Sequence, residues 1–278
     1  MPELSLPLPV RVRMTHAAMQ FLADESGADL LHIKGPALDP ELAAQRPPSS
    51  DADVLVRPAH LRRFIRALAG TEWSLRTRFA TGSAFEHAAT YWSEVFGYVD
   101  VHRSFPGLEA PDTFEVLWAD RHPVDLGGYA CAVPGQTAQR LILLVHAARS
   151  GGSRDVGIAW EQADSAERAR IRQLAERLDA EIALASALGD LEQFREHRAY
   201  RLWRTFADPS STRWDELRGR VEAHPHLLGK AGILVRALVP NFEHLQMAAG
   251  HRLSRRDRAY AWQERYRRAW RELRHRHD

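Results

Sequence analysis

Cysteine is nearly absent. Cys131 stands alone among 278 residues, so no disulfide can form within the chain, and that usage suits a reducing cytosol. Long apolar runs are missing too. No stretch approaches the ~20 residues that a bilayer-spanning helix needs, and the opening MPELSLPLPVRVRM has no continuous apolar core of the signal-peptide type. A soluble cytoplasmic protein with no membrane partner is therefore expected. An excess of one charge sign is also lacking: the formal net charge is +2, which by itself implies no polyanionic partner. There is no repeat of fixed period and no low-complexity tract. What remains is 45% hydrophobic and 27% charged, an ordinary globular composition for one large domain or two modest ones.

The pattern changes near residue 135. Before it, short apolar runs read as strands: LLHIKG (30–35), ADVLV (52–56), FGYVDVH (96–102) and YACAV (129–133). Helical patterns lie between them, THAAMQFLADESG (15–27) and PAHLRRFIRALAG (58–70), each ending on a glycine placed for a helix C-terminus. After Pro134 the strand signals stop, and TAQRLILLVHAARSG (137–151) and the run 165–189 carry apolar residues at helical spacing. The expected architecture is α+β: a mixed sheet with flanking helices over residues 1–135, followed by a helical domain over 136–278.

Two acids interrupt the strand SSDADVLV. Alternation puts Asp51 and Asp53 on one face, with Ala52 and Val54 on the other. Side-by-side carboxylates resist joint ionisation unless a cation lies between them, and oxygen ligands favour Mg²⁺ or Mn²⁺. An Asp-x-Asp alone is weak evidence, since a chain this long holds on the order of one by chance at ~6% Asp. A solvated strand-edge pair is the plain alternative. Two neighbours favour a site. Upstream, LLHIKGPAL reads as strand, glycine turn and helix start, offering backbone N–H groups and the Lys34 charge to a phosphate. Downstream, GYVDVHRSF puts Asp100 and His102 on one face of another strand, and side-by-side strands would make Asp100 a third acid.

The ordered set HIKGPALDPELAAQRPPSSDADVLV, YVDVHRSFPGL and LILLVHAARSGG resembles the bacterial uncharacterised nucleotidyltransferase family of the polymerase-β-like nucleotidyltransferase superfamily, over roughly residues 10–165. The resemblance implies a nucleotidyltransferase-type mixed sheet, metal-ligand roles for Asp51 and Asp53, and Asp100 as third carboxylate and candidate general base. Lys34 and Gly35 would meet the nucleotide phosphates. The implied activity is two-metal transfer of a nucleoside monophosphate from an NTP, ATP being the expected donor, with release of diphosphate. The acceptor is a small molecule, a peptide or protein, or RNA. The turn departs from the superfamily's Gly-Ser pair: Pro36 follows Gly35, removing an N–H donor, and Ser49 or Ser50 could supply the missing hydroxyl.

Other residues have plainer readings beside functional ones. His102 could line the pocket or support the ligands from behind. Arg46 reads as solvated or as able to swing onto a phosphate, His146 as a core histidine or a pocket residue, Asp155 as a helix cap, and the HPH at 224–226 as a helix boundary. The Arg-rich stretch 252–278 carries Tyr260, Tyr266, Trp270 and Leu273 at near-helical spacing. It reads as a helix docking an aromatic stripe, or as an RNA-contacting helix. Two other functions compete: a nucleotide-binding or interaction module that has lost turnover, and a toxin-like nucleotidyltransferase acting on tRNA or protein.

Overall fold

A computed structural model describes residues 6–82, 85–249 and 251–274. The fold is α+β, with a five-stranded mixed sheet in the order β1-β2-β5-β4-β3. Its strands are β1 (Leu30–Ile33), β2 (Asp51–Val56), β3 (Ser74–Thr77), β4 (Ala88–Ser93) and β5 (Gly97–His102). β2 and β5 are parallel; every other neighbouring pair is antiparallel. A separate antiparallel ribbon joins β6 (His122–Asp125) to β7 (Ala130–Val133). The sequence expectations identify β1, β2, β5 and β7 but not β3, β4 or β6. Of the missed strands, β3 exposes three of its four residues and so lacks an apolar signature. Among the described residues every strand lies before Pro134.

Strand alternation divides the sheet into two unlike faces. Leu30, Ala52, Val54, Val56, Val99 and Val101 pack with Met19 and Ala23 of the helix Leu8–Ser26 and with Phe64 and Leu68 of the helix Leu61–Ala69. Leu31, Ile33 and Leu55 belong to a second core with Phe105, residues 141–145 of the helix Gln136–Ser150, and Trp203 of the helix Tyr200–Ala207. That second core therefore spans both sides of residue 135. Its close packing depends on Gly107. A Cβ there would lie 2.6 Å from Val145 Cγ1 and 2.9 Å from Trp203 Cη2.

The run 165–189 is not one helix. It forms Ser165–Arg177 and Glu181–Leu188, broken at Asp179, whose φ is 49°. The break lets the Leu178 carbonyl accept hydrogen bonds from the backbone N–H groups of Glu109 and Ala110. HPH does fall at a boundary, between the helices Arg213–Ala223 and Leu227–Leu238. In the helix Arg255–Arg274, Tyr260 and Tyr266 are 63% and 55% exposed, so these two do not dock as a stripe. The contact is made by Trp262, which stacks on Tyr266 and meets Phe242 edge-on. The side chains of Trp270 and Leu273 lie outside the described residues. Among those residues no helix is long and apolar enough to cross a membrane.

A buried polar chain runs beneath β1. Gln20 Oε1 can only accept, so His32 Nε2, 3.1 Å away, carries its proton. A neutral His32 then accepts at Nδ1 from the Nδ1–H of His16, 2.8 Å away. Burial pushes His16 down to about 4, against the opposing pull of Asp53, and lowers His32 well below its usual 6.5. Both rings are neutral in the fold and charge near pH 6.5 once unfolded. Their contribution is therefore complete above pH 6.5 and is lost as pH falls toward 4, at up to about 1.4 kcal/mol per pH unit per group. The urea midpoint should drop steadily between pH 7 and pH 5; a midpoint that stays level would contradict these neutral rings.

Candidate active site

The parallel pairing of β2 with β5 sets Asp53 directly opposite Asp100, and Asp51 opposite Tyr98. Asp51, Asp53, Asp100 and His102 therefore share the face opposite Val54 and Val101. Asp53 is only 5% exposed, and its Oδ1 receives both Lys34 Nζ at 2.6 Å and His102 Nε2 at 2.8 Å. Burial opposes its ionisation, but Lys34 and His102 outweigh burial and hold the carboxyl well below the usual range. Asp100 shifts the other way. Burial and then the Asp53 charge raise it, although Thr90 Oγ1 donates to its Oδ1 at 2.7 Å. Asp51 is raised by burial and by Asp53 as well. Three acids on one face thus differ in proton affinity because only Asp53 touches the Lys34 ammonium and a His102 ring nitrogen.

The turn after β1 is bent sharply. Lys34 and Gly35 both have positive φ, 61° and 51°, an uncommon geometry for a lysine. A Cβ on Gly35 would sit 3.1 Å from Ser49 Cβ, so the turn lies against the residue that leads into β2. Ser49 Oγ donates within its own segment, 2.8 Å from the Asp51 carbonyl oxygen and 3.0 Å from Asp51 Oδ1. Ser50 Oγ reaches the same Oδ1 at 3.5 Å. Both hydroxyls accordingly face Asp51. Asp39, which caps the short helix Pro40–Ala43 by accepting from Glu41 N–H, is itself tied down: its N–H donates to Gln139 Oε1 at 2.6 Å.

Residues far along the chain complete the surroundings. Arg46 is not solvated but ion-paired to buried Asp155 at 2.5 Å. Asp155 is not a helix cap; burial works against its ionisation, yet His146 and Arg46 lower it. His146 is half-buried, with Nδ1 3.8 Å from Asp155 Oδ2, beyond hydrogen-bond length. Asp155 raises that ring, but burial, Lys34 and Arg149 together depress it. His87 packs against His102 with ring centroids 5.2 Å apart, and burial followed by repulsion from His102 and Arg149 pushes it down to about 2. Thr90, His87, Arg149 and Gln139 escaped the sequence reading. Only Arg149 left a trace, at helical i, i+3 spacing from His146.

Three of these side chains form a possible metal-ligand set. One ligand atom each from Asp53, Asp100 and His102 lies within 4.8 Å of the others. A carboxylate whose ionisation is opposed by burial and then by a neighbouring acid, as that of Asp100 is, is what a divalent cation relieves. The residues present therefore fit such an ion, with His102 as one of three candidate ligands; Asp51, expected as a ligand, lies outside this group and accepts from Ser49 Oγ.

No curated protein matches the chain. Among solved structures, one similar chain is the lincosamide antibiotic adenylyltransferase LnuA with lincomycin bound. It is 14% identical, and the match covers 58% of this chain and 94% of that one at a TM-score of 0.35. A family model described as uncharacterised nucleotidyltransferase matches residues 18–192, from the first helix through the second core. The chain belongs to this uncharacterised nucleotidyltransferase family.

Proposed function

We propose that the protein transfers a nucleoside monophosphate from an NTP, with ATP the expected donor, to a hydroxyl-bearing acceptor. The acceptor oxygen forms a bond to the α-phosphorus. The bond from that phosphorus to the α,β-bridging oxygen breaks, and its electron pair leaves on diphosphate. The acceptor's proton passes to Asp100, whose raised proton affinity suits a base better than that of the strongly ionised Asp53. Asp51, Asp53 and Asp100 would hold Mg²⁺ or Mn²⁺, which supplies charge neutralisation at the phosphates. His102 orients Asp53 through its Nε2 contact, and the Lys34-Gly35 turn meets the phosphate chain, with Ser49 and Ser50 beside it. One observation carries this reading: three carboxylates on one sheet face, two of them level on adjacent parallel strands.

The test uses ATP labelled at the α-phosphate, incubated with the protein, Mg²⁺ or Mn²⁺ and panels of aminoglycosides, sugar phosphates, peptides and tRNA. Label should enter one acceptor class, with an equal amount of diphosphate released, and chelation with EDTA should stop both. A second reading is favoured by the double compensation of Asp53 Oδ1 by Lys34 and His102. Such a site could bind nucleotide without turning it over. Calorimetric binding of Mg-ATP with no diphosphate release from any acceptor class would select that reading.

A further inference from the structure

Three arginines near this site are held in different ways. Arg140 is buried and satisfied: its Nη1 donates to the carbonyl oxygens of Ile158 and Ala159 at 3.0 and 3.3 Å, with Glu167 4.0 Å from its Nε. Arg46 has Asp155. Arg149, in the last turn of the 136–150 helix, has no such partner. Its Nε is buried and makes no hydrogen bond. Among the described residues no carboxylate forms an ion pair with its guanidinium. Instead the group lies between two rings, its central carbon 5.1 Å from the Phe105 centroid and 5.5 Å from that of Phe85. Burial lowers its proton affinity to about 10, and the acids that counteract this are Asp53 and Glu109.

The location is informative. Phe105 packs against His102, and His102 hydrogen-bonds Asp53, so the guanidinium stands at the end of the row of acids. His146, three residues earlier on the same helix, feels the charges of Lys34 and Asp53. The two ring contacts hold the guanidinium without engaging its N–H donors, and its buried Nε is left for an incoming acceptor. A planar fork with unspent donors matches a pair of phosphate oxygens better than any single-atom acceptor. A half-buried charge whose buried Nε has no partner is costly to keep, and a structural role would be met more cheaply by an apolar side chain. A ligand that completes the site accounts for its retention.

We propose that Arg149, with His146 one turn before it, grips the diphosphate portion of the donor nucleotide, the part that departs as the leaving group. This assignment rests on the nucleotidyl-transfer reading of the same site. It adds a phosphate contact from a helix outside the sheet motifs and makes Arg149 a direct binding residue. The bidentate fork holds two non-bridging oxygens and takes up charge as the bond to the α-phosphorus breaks.

Binding to the full chain can be measured by calorimetry and thermal shift in EDTA, with inorganic tripolyphosphate, diphosphate and AMP as probes. Arg149→Met should weaken tripolyphosphate and diphosphate by about tenfold or more, the worth of a charge-assisted phosphate contact, and leave AMP unchanged. Arg149→Lys should fall between, keeping the charge without the fork. The ligand-free Arg149→Met protein should melt no lower than the parent, which a merely structural arginine would not allow. Tripolyphosphate affinity within twofold of the parent in both variants would overturn the assignment, even if nucleotide transfer is then demonstrated. The expected binding loss alongside a parent protein that transfers no label would uphold this phosphate site and refute the catalytic reading instead.

Discussion

Asp53→Asn should lower nucleotide transfer by about a thousandfold or more, the scale expected when a charge central to transition-state stabilisation is removed. Asparagine keeps the shape and one acceptor oxygen but not the charge that compensates Lys34. Mn²⁺ binding by calorimetry should weaken in parallel. A stability cost accompanies the change, because a buried cation loses its partner, and removing one member of such a pair costs about 3 kcal/mol or more. Activity should therefore be compared well below the melting temperature of the variant, with circular dichroism confirming the fold. Transfer within tenfold of the parent would take Asp53 out of the chemistry. The acid limb of the rate profile should come from Asp100 and Asp51, whose proton affinities are both raised, while Asp53 stays ionised.

Gly107→Ala should produce the largest loss of stability from a single methyl group. The added carbon meets Val145, Trp203 and Ala183 at 2.6, 2.9 and 3.0 Å, and the backbone φ of 94° is strained for any L-residue. Overpacking costs about 1–3 kcal/mol and the backbone term a similar amount, so a total of about 3–5 kcal/mol is expected in urea unfolding. Adding Val145→Ala should recover only the steric part, a non-additivity that a double-mutant cycle would resolve. An unchanged urea midpoint in Gly107→Ala would show that the second core can open at this point without cost.

The pair of acidic strands was legible because strand alternation is rigid. Once Asp51, Asp53, Asp100 and His102 are placed on strands, the side each faces follows from its number. The register that makes Asp53 and Asp100 level was not legible, since parallel pairing depends on a crossover through a helix and a hairpin that the sequence barely marks. Arg46, His146 and Asp155 were misread for a related reason. Local rules describe an arginine in a loop as solvated and an aspartate near a helix start as a cap. Only the tertiary fold brings residue 46 to residue 155. Arg149 escaped because a basic residue in the last turn of a helix is ordinary, and what sets this one apart is a missing partner. Tyr260 and Tyr266 were misread in another way: helical spacing revealed a face, but not whether anything covers it.

The loop between the Lys34-Gly35 turn and β2 is fastened at two points beyond residue 150: Arg46 to Asp155, and Gln45 to Gln162 through reciprocal amide hydrogen bonds of 2.7 Å. The change in composition near residue 135 therefore makes a poor place to divide the gene. A piece ending there would retain every acid, yet its entry loop would be cut from its moorings. Any smaller working version of this protein has to carry its anchor points along with its carboxylates.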